Sequence, residues 1–169
     1  MGLLTPTSSF RRETAPWSLI VFALDGQYAL HLCNVERVVR AVEFTPLPKG
    51  PDIVLGVIDA YGTILPVLNI RRRFRLRERE MELTDRLIIA RTSSRRVALL
   101  VDSVSGVIER NGLDVVPADS IAPGMEYVEG IAKLDQDMVL IHDLDSFLSL
   151  DEERALDDAL NQSKKAMDG

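Results

Sequence analysis

The chain has a single cysteine, Cys33, so no intrachain disulfide and no cysteine-rich metal site can form. One cysteine fits a reducing compartment. Histidines are also scarce. His31 and His142 lie in separate apolar runs, each without a cysteine or second histidine nearby, and both are read as structural. No apolar run approaches the ~20 residues of a membrane span, so no direct membrane insertion is expected. A signal peptide is not expected either, because Phe10-Arg11-Arg12-Glu13 arrives before an apolar core has formed. Pro6 stands where a myristoylation site after Met1-Gly2 needs Ser or Thr. Positive charge is not in excess. A net charge of -6 and a pI near 5.0 disfavour non-specific binding to nucleic acid or anionic membrane.

Catalytic signatures are missing as well. Asp102-Ser103-Val104-Ser105-Gly106 lacks the first glycine of a nucleophile elbow. There is no phosphate-cradling glycine loop, no HExxH and no GxGxxG. Asp135-Gln136-Asp137 opens like a calcium loop, but the position that needs glycine is Leu140. The carboxylates Glu152-Glu153 and Asp157-Asp158 read as the solvated face of a helix. Nothing brings a nucleophile, a base and an orienting group together. The expectation is a protein that is not an enzyme and needs no metal or cofactor. A hydrolase built on His31 or His142 is the weakest alternative.

What the sequence does hold is a hairpin. Two apolar runs, Leu55–Ala60 and Thr63–Leu68, flank Tyr61-Gly62, where Gly62 supplies the positive φ of a tight turn. A regular pleat would turn Val57, Leu65 and Val67 to one face and Ile58, Ile64 and Leu68 to the other. With both faces apolar, one lines a core and the other is covered by a second module or kept for a partner. Pro66 predicts a sheet edge or a bulge.

Around this hairpin the chain reads as short strands. Residues 1–16 form a lead-in without periodicity. Ser18–Leu24 and Tyr28–Leu32 are strands joined at Asp25-Gly26. Val35, Val38 and Val39 suggest a helical turn passing into a strand, and Thr45–Pro51 is a proline loop. Arg71–Arg79 holds six arginines and reads as a solvated connector answered by Glu78, Glu80 and Glu82. Asp85–Arg91, Val97–Val101, Tyr127–Ala132 and Met138–His142 are further strands, with a loop at Asn111–Met125. A terminal helix follows, with Ser149 and Glu152 at capping-box spacing and Leu156 and Leu160 one turn apart.

The two halves repeat. Adding 69 carries Ala29, Val35, Val38 and Pro48 onto Ala98, Val104, Val107 and Pro117. Adding 74 carries Gly56-Val57, Val67 and Asn69-Ile70 onto Gly130-Ile131, Ile141 and Asp143-Leu144. A duplication at this period predicts two similar small β modules, each marginal alone, with the seam between them as the natural groove.

These residues resemble the chemotaxis coupling protein family, CheW, over roughly Ser18 to Leu150. The markers are Phe22-x-Leu24-x-Gly26 with Tyr28-Ala29, Val35-x-x-Val38, Pro48-x-x-Pro51, Gly56-Val57-Ile58 and Gly62-Thr63-Ile64-x-Pro66-Val67. Val101-Asp102-x-Val104-x-x-Val107 and Gly130-Ile131-Ala132-Lys133-Leu134 complete the pattern. The resemblance implies an all-β fold of two packed five-stranded SH3-like β-barrels with a C-terminal α-helix. It divides the chain into a lead-in (1–16), a CheW-like domain (17–148, barrels about 18–73 and about 84–146) and a helix with tail (149–169). It also implies a cytoplasmic, non-enzymatic adaptor at receptor arrays on the inner face of the membrane. Such an adaptor links the cytoplasmic tip of a methyl-accepting chemoreceptor to the regulatory domain of a CheA-type histidine kinase. By position, Val35, Val38, Val101 and Val104 would line the receptor groove, and Phe44, Thr45, Gly56, Asp59 and Tyr61 would face the kinase.

Two positions depart from the family. Arg37 stands where a glutamate is usual, and Asp59-Ala60-Tyr61-Gly62 replaces Asn-Leu-Arg-Gly. If the usual residues pair, Arg37 and Tyr61 would substitute a cation–aromatic contact. The departures carry an alternative reading, an auxiliary or competing modulator of a specialised chemosensory array. A nucleic-acid-binding barrel using Arg71–Arg79 is a third reading, from a different class.

Overall fold

The computed structural model describes residues 16–111, 115–117, 127–134 and 136–168. The expected lead-in, apart from Pro16, lies outside these residues, as do most of the loop at 111–125 and Asp135. Strands β1 (Pro16–Ala23) and β2 (Gln27–His31) form the first hairpin, and a 3₁₀ turn, Leu32–Asn34, leads into β3 (Val35–Arg40). Strands β4 (Val54–Ala60) and β5 (Thr63–Leu68) form the second hairpin, followed by a single helical turn, α1 (Ile70–Arg73). Then come β6 (Arg86–Arg91), β7 (Arg96–Val101), β8 (Ser103–Asn111), the short β9 (Val115–Pro117), β10 (Val128–Leu134) and β11 (Asp137–His142). A 3₁₀ turn at Leu144–Ser146 precedes the long helix α2 (Leu150–Asp168).

The fold is all-β with one long C-terminal helix, and its strands form two sheets, in the orders β8-β1-β2-β11-β10-β9 and β3-β6-β7-β5-β4. The expected five strands per sheet hold for the second. The first gains β9, whose residue Val116 pairs with Ile131. Its counterpart in the second sheet is a lone bridge from Thr45 to Val57.

The barrel bounds implied by the resemblance, about 18–73 and about 84–146, do not match the strand pairing. Strands β1 and β2 belong with β8–β11 in one compact unit, and β3–β7 with α2 in the other. Each unit therefore takes its first hairpin from one repeat and its remaining strands from the other. The repeat pattern alone cannot distinguish these arrangements, because either way each sheet receives one copy of every element. The registers obey the repeat. Ile141 pairs with Ala29 where β11 runs parallel to β2, and Val67 pairs with Ala98 where β5 runs parallel to β7. Both hairpins slip register at equivalent places, between Val54 and Gly56 and between Val128 and Gly130.

The cores are equivalent too. One contains Leu19, Val21, Ala29, Ala132, Val139 and Ile141. The other contains Leu87, Ile89, Ala98, Ile58, Leu65 and Val67, the matching positions in the same order. Burying each large aliphatic side chain stabilises its sheet by roughly 1.5–3 kcal/mol.

The central hairpin forms as expected, but with its faces sorted differently. Ile58 pairs with Leu65 and joins the core with it, while Val57 pairs with Pro66 and Asp59 with Ile64. Nor does Pro66 mark an edge, since β5 lies between β7 and β4. Val57 directs its N–H and C=O outward to Thr45, at 2.7 and 2.9 Å, so no donor is required from residue 66 on that side. On the other side the ladder with β7 begins one residue later, at Val67.

Helix α2 starts as its sequence predicts. The Ser149 N–H donates to Glu152 Oε1 at 2.9 Å, and the Glu152 N–H donates to Ser149 Oγ at 3.1 Å. Leu156 and Ala159 are buried. The acidic face is not simply solvated. Glu152 pairs with Arg73 at 2.5 Å, Glu153 with Arg95 at 2.6 Å, and Asp157 also with Arg95.

Candidate functional site

The turn of the central hairpin is two residues long, with Ala60 opposite Thr63. Tyr61 (φ 55°) and Gly62 (φ 86°) are both left-handed, the requirement of a type I′ turn. Glycine meets it freely, whereas a tyrosine there costs roughly 1–2 kcal/mol. The Gly62 N–H donates to Asp59 Oδ1 at 2.8 Å, which ties the exposed Asp59 into the turn. Tyr61 is 86% exposed, and Ile64 beside it is 48% exposed.

The guanidinium carbon of Arg37 sits 4.8 Å from the centre of the Tyr61 ring. This is the cation–aromatic contact expected from the two departures. Arg37 is on β3 and Tyr61 follows β4, and these are the two edge strands of the five-stranded sheet. The contact therefore joins the sheet's two edges. Glu36, next to Arg37, accepts from Arg96 Nη2 at 2.7 Å. That hydrogen bond outweighs the effect of burial and, with the charges of Arg96, Arg91 and Arg37, holds the Glu36 carboxyl below its usual range.

The expected kinase-facing residues gather around this hairpin. Thr45 is exposed and bridges the outer edge of β4 through Val57. Gly56 is buried, and a Cβ there would meet Thr45 O at 2.5 Å and Phe44 Cδ2 at 2.8 Å. Its part is to let the Phe44-Thr45 segment close on β4, and Phe44 packs against the core. Exposed side chains at the tip come from Asp59, Tyr61, Thr63 and Ile64.

The expected receptor valines separate. Val35 is half-buried and Val38 is 36% exposed, both on β3. Val104 is half-buried on β8, in the other unit. Val101 corrects the expectation. It is 1% exposed, pairs with Arg86 from within β7, and belongs to the core.

The arginine run is not a solvated connector throughout, nor do the side chains of Glu80 and Glu82 answer it. Buried Arg71 donates to both oxygens of Asp102, at 2.7 and 2.6 Å. Arg79 pairs with Asp85 at 2.6 Å and with Asp102 at 2.5 Å. Arg72 pairs with Glu78 at 2.7 Å. Burial pushes the Asp85 carboxyl up, but the Arg79 hydrogen bonds, the Glu82 N–H and nearby arginine charge prevail and hold it below its usual range. A guanidinium so engaged has little left for a phosphate.

The histidines take unlike places. His31 Nε2 lies 2.6 Å from Glu129 Oε2, with the Trp17 ring 5.0 Å away. His142 is 3% exposed and packs 5.3 Å from the Tyr28 ring. Burial pulls its pKa down to about 4. Among the described residues, no group of three or more His, Cys, Asp or Glu could hold a metal ion. Among them too, no helix is long and apolar enough to cross a membrane. Sequence reasoning missed the Glu36–Arg96 ion pair beside Arg37 and the Arg91 opposite Arg96, which only the β3-β6-β7 register brings together.

Comparison with known proteins supplies the context of this geometry. The family model for the CheW-like domain matches residues 18–152. The chain is 30% identical over 140 residues to the chemotaxis protein CheW of Rhizobium meliloti (strain 1021), covering 81% of this chain and 90% of that one. It is 31% identical over 136 residues to the CheW of Thermotoga maritima, covering 78% and 87%. The crystal structure of the scaffolding protein TtCheW from Thermoanaerobacter tengcongensis matches with a TM-score of 0.74 and 30% identity, over 81% of this chain and 95% of that one. With residues 18–152 matched by the family model and relatives matched over most of their own length, the chain belongs to the CheW-like family.

Proposed function

We propose that this chain is a non-enzymatic adaptor of chemotaxis-like two-component signalling. It couples the cytoplasmic tip of a chemoreceptor to the regulatory domain of a CheA-type histidine kinase. The observation that carries the reading is the family match across residues 18–152, together with likeness to a protein described as a scaffold. In this reading the Tyr61 hairpin, with Asp59 and Thr45, faces the kinase, and Gly56 and Phe44 shape the edge behind it. Val35, Val38 and Val104 face the receptor's helices. An apolar β-rim suits a second β-rim, and partly exposed valines suit an amphipathic helix. The place of action is the receptor array at the cytoplasmic face of the membrane.

The test is binding of the purified chain to a kinase regulatory domain and to a receptor cytoplasmic hairpin. Tyr61→Asp should abolish the first and spare the second. Binding to neither would end the proposal. A second reading, an auxiliary or competing modulator, draws on the Arg37–Tyr61 pair. It predicts that adding this chain to an array built on another coupling protein lowers kinase output.

A further inference from the structure

We infer that the partner surface meeting the Tyr61 hairpin presents carboxylates around an apolar side chain, and that charge decides which partner this chain accepts. The inference rests on the proposed function and names the chemistry of its kinase-facing site. Arg91 and Arg96 stand directly opposite each other across β6 and β7. Like charges in that register are unfavourable. Arg96 is answered by Glu36, and Arg37 and Arg91 act on that same carboxylate. Three guanidiniums thus share the Glu36 carboxylate, and Arg37 carries that charge to an aromatic ring 86% exposed; the other carboxylate of the tip, Asp59, is tied to the turn through the Gly62 N–H. The unit that carries the tip, residues 34–103 and 144–169, balances 16 Lys and Arg against 16 Asp and Glu, whereas residues 104–143 carry 2 against 8. A basic cluster reaching an apolar tip steers an acidic protein surface to that tip and repels a basic one.

The experiment measures binding of the full chain to the kinase regulatory domain across a salt series, with Arg91→Gln, Arg91→Glu and a distant control, Arg110→Glu. Thermal melts show that each variant is folded. The expected result is wild-type affinity that falls as salt rises, a loss of about tenfold or more for Arg91→Glu carried largely by the association rate, a smaller loss for Arg91→Gln, and no loss for Arg110→Glu. Equal affinity of both Arg91 variants and the wild type, with a flat salt dependence, would overturn the inference while leaving the adaptor reading intact. Absence of wild-type binding at every salt concentration would overturn the adaptor reading and this inference with it.

Discussion

Arg37 lies over Tyr61, and the two residues belong to opposite edges of one sheet. An exposed tyrosine in a left-handed turn is unfavourable by itself. Here its ring gives the guanidinium of the far edge a surface to rest on, so the cost of the turn is set against closure of the sheet.

That pairing is measurable. A double-mutant cycle of Arg37→Gln and Tyr61→Ala, followed by chemical denaturation, should give a coupling of about 0.5–1 kcal/mol. A coupling of zero would remove the contact from the account. Tyr61→Gly should lose the contact yet relieve the left-handed strain, and so be less destabilising than Tyr61→Ala.

The equivalent glycines should differ in tolerance. A Cβ at Gly56 would lie 2.5 Å from Thr45 O, whereas at Gly130 the nearest atom, Val116 O, is 2.9 Å away. Gly56→Ala should therefore cost about 2–3 kcal/mol, and Gly130→Ala distinctly less, as read from thermal or denaturant unfolding.

Stability should fall in mild acid because of His142. Its folded pKa, about 4, lies below the ordinary 6.5. The unfolded chain therefore takes up a proton as pH drops through 6.5, before the folded one does. Its contribution is retained above pH 6.5 and lost down to about pH 4, a decline on the order of 3 kcal/mol. The depressed carboxyls of Glu36, Asp85 and Glu152 begin to lose their contributions only below their own ordinary values, 4.5, 3.8 and 4.5. The interval from 6.5 to 4.5 therefore belongs mainly to His142. Replacing it with Leu, the residue at the equivalent Leu68, should flatten the unfolding free energy across that interval.

Breaking the buried arginine network should be costly. Asp85 is 1% exposed and its partner Arg79 is partly exposed. Asp85→Asn should destabilise by about 2–3 kcal/mol, below the full penalty of a wholly buried pair because water still reaches Arg79.

Much of this architecture was legible from local chemistry. Gly62 and the apolar runs around it announced the central hairpin, Ser149 and Glu152 announced the start of α2, and strand limits came within two residues. The Arg37–Tyr61 contact was legible only through the family resemblance, as two departures at positions whose usual residues carry opposite charges. What stayed hidden depends on contacts between distant residues. Val101 and Val38 look alike as letters, yet one is core and the other exposed, because register sets the face. The arginine run looked solvated because its acids, Asp102 and Glu152, lie 31 and 79 residues away from the arginines they answer. The exchange of hairpins between repeats leaves no trace in a pattern that both arrangements share.

That exchange fixes an order of assembly during synthesis. Once Val101 has left the ribosome, β3 to β7 are all present and the second sheet can close. The β1–β2 hairpin, made before the other strands, has no sheet neighbours until β8 to β11 emerge some seventy or more residues behind it, on the order of several seconds at typical translation rates. The first hairpin is thus among the last of the strands to find its place, and in that interval its bare strand edges are what a chaperone would have to guard.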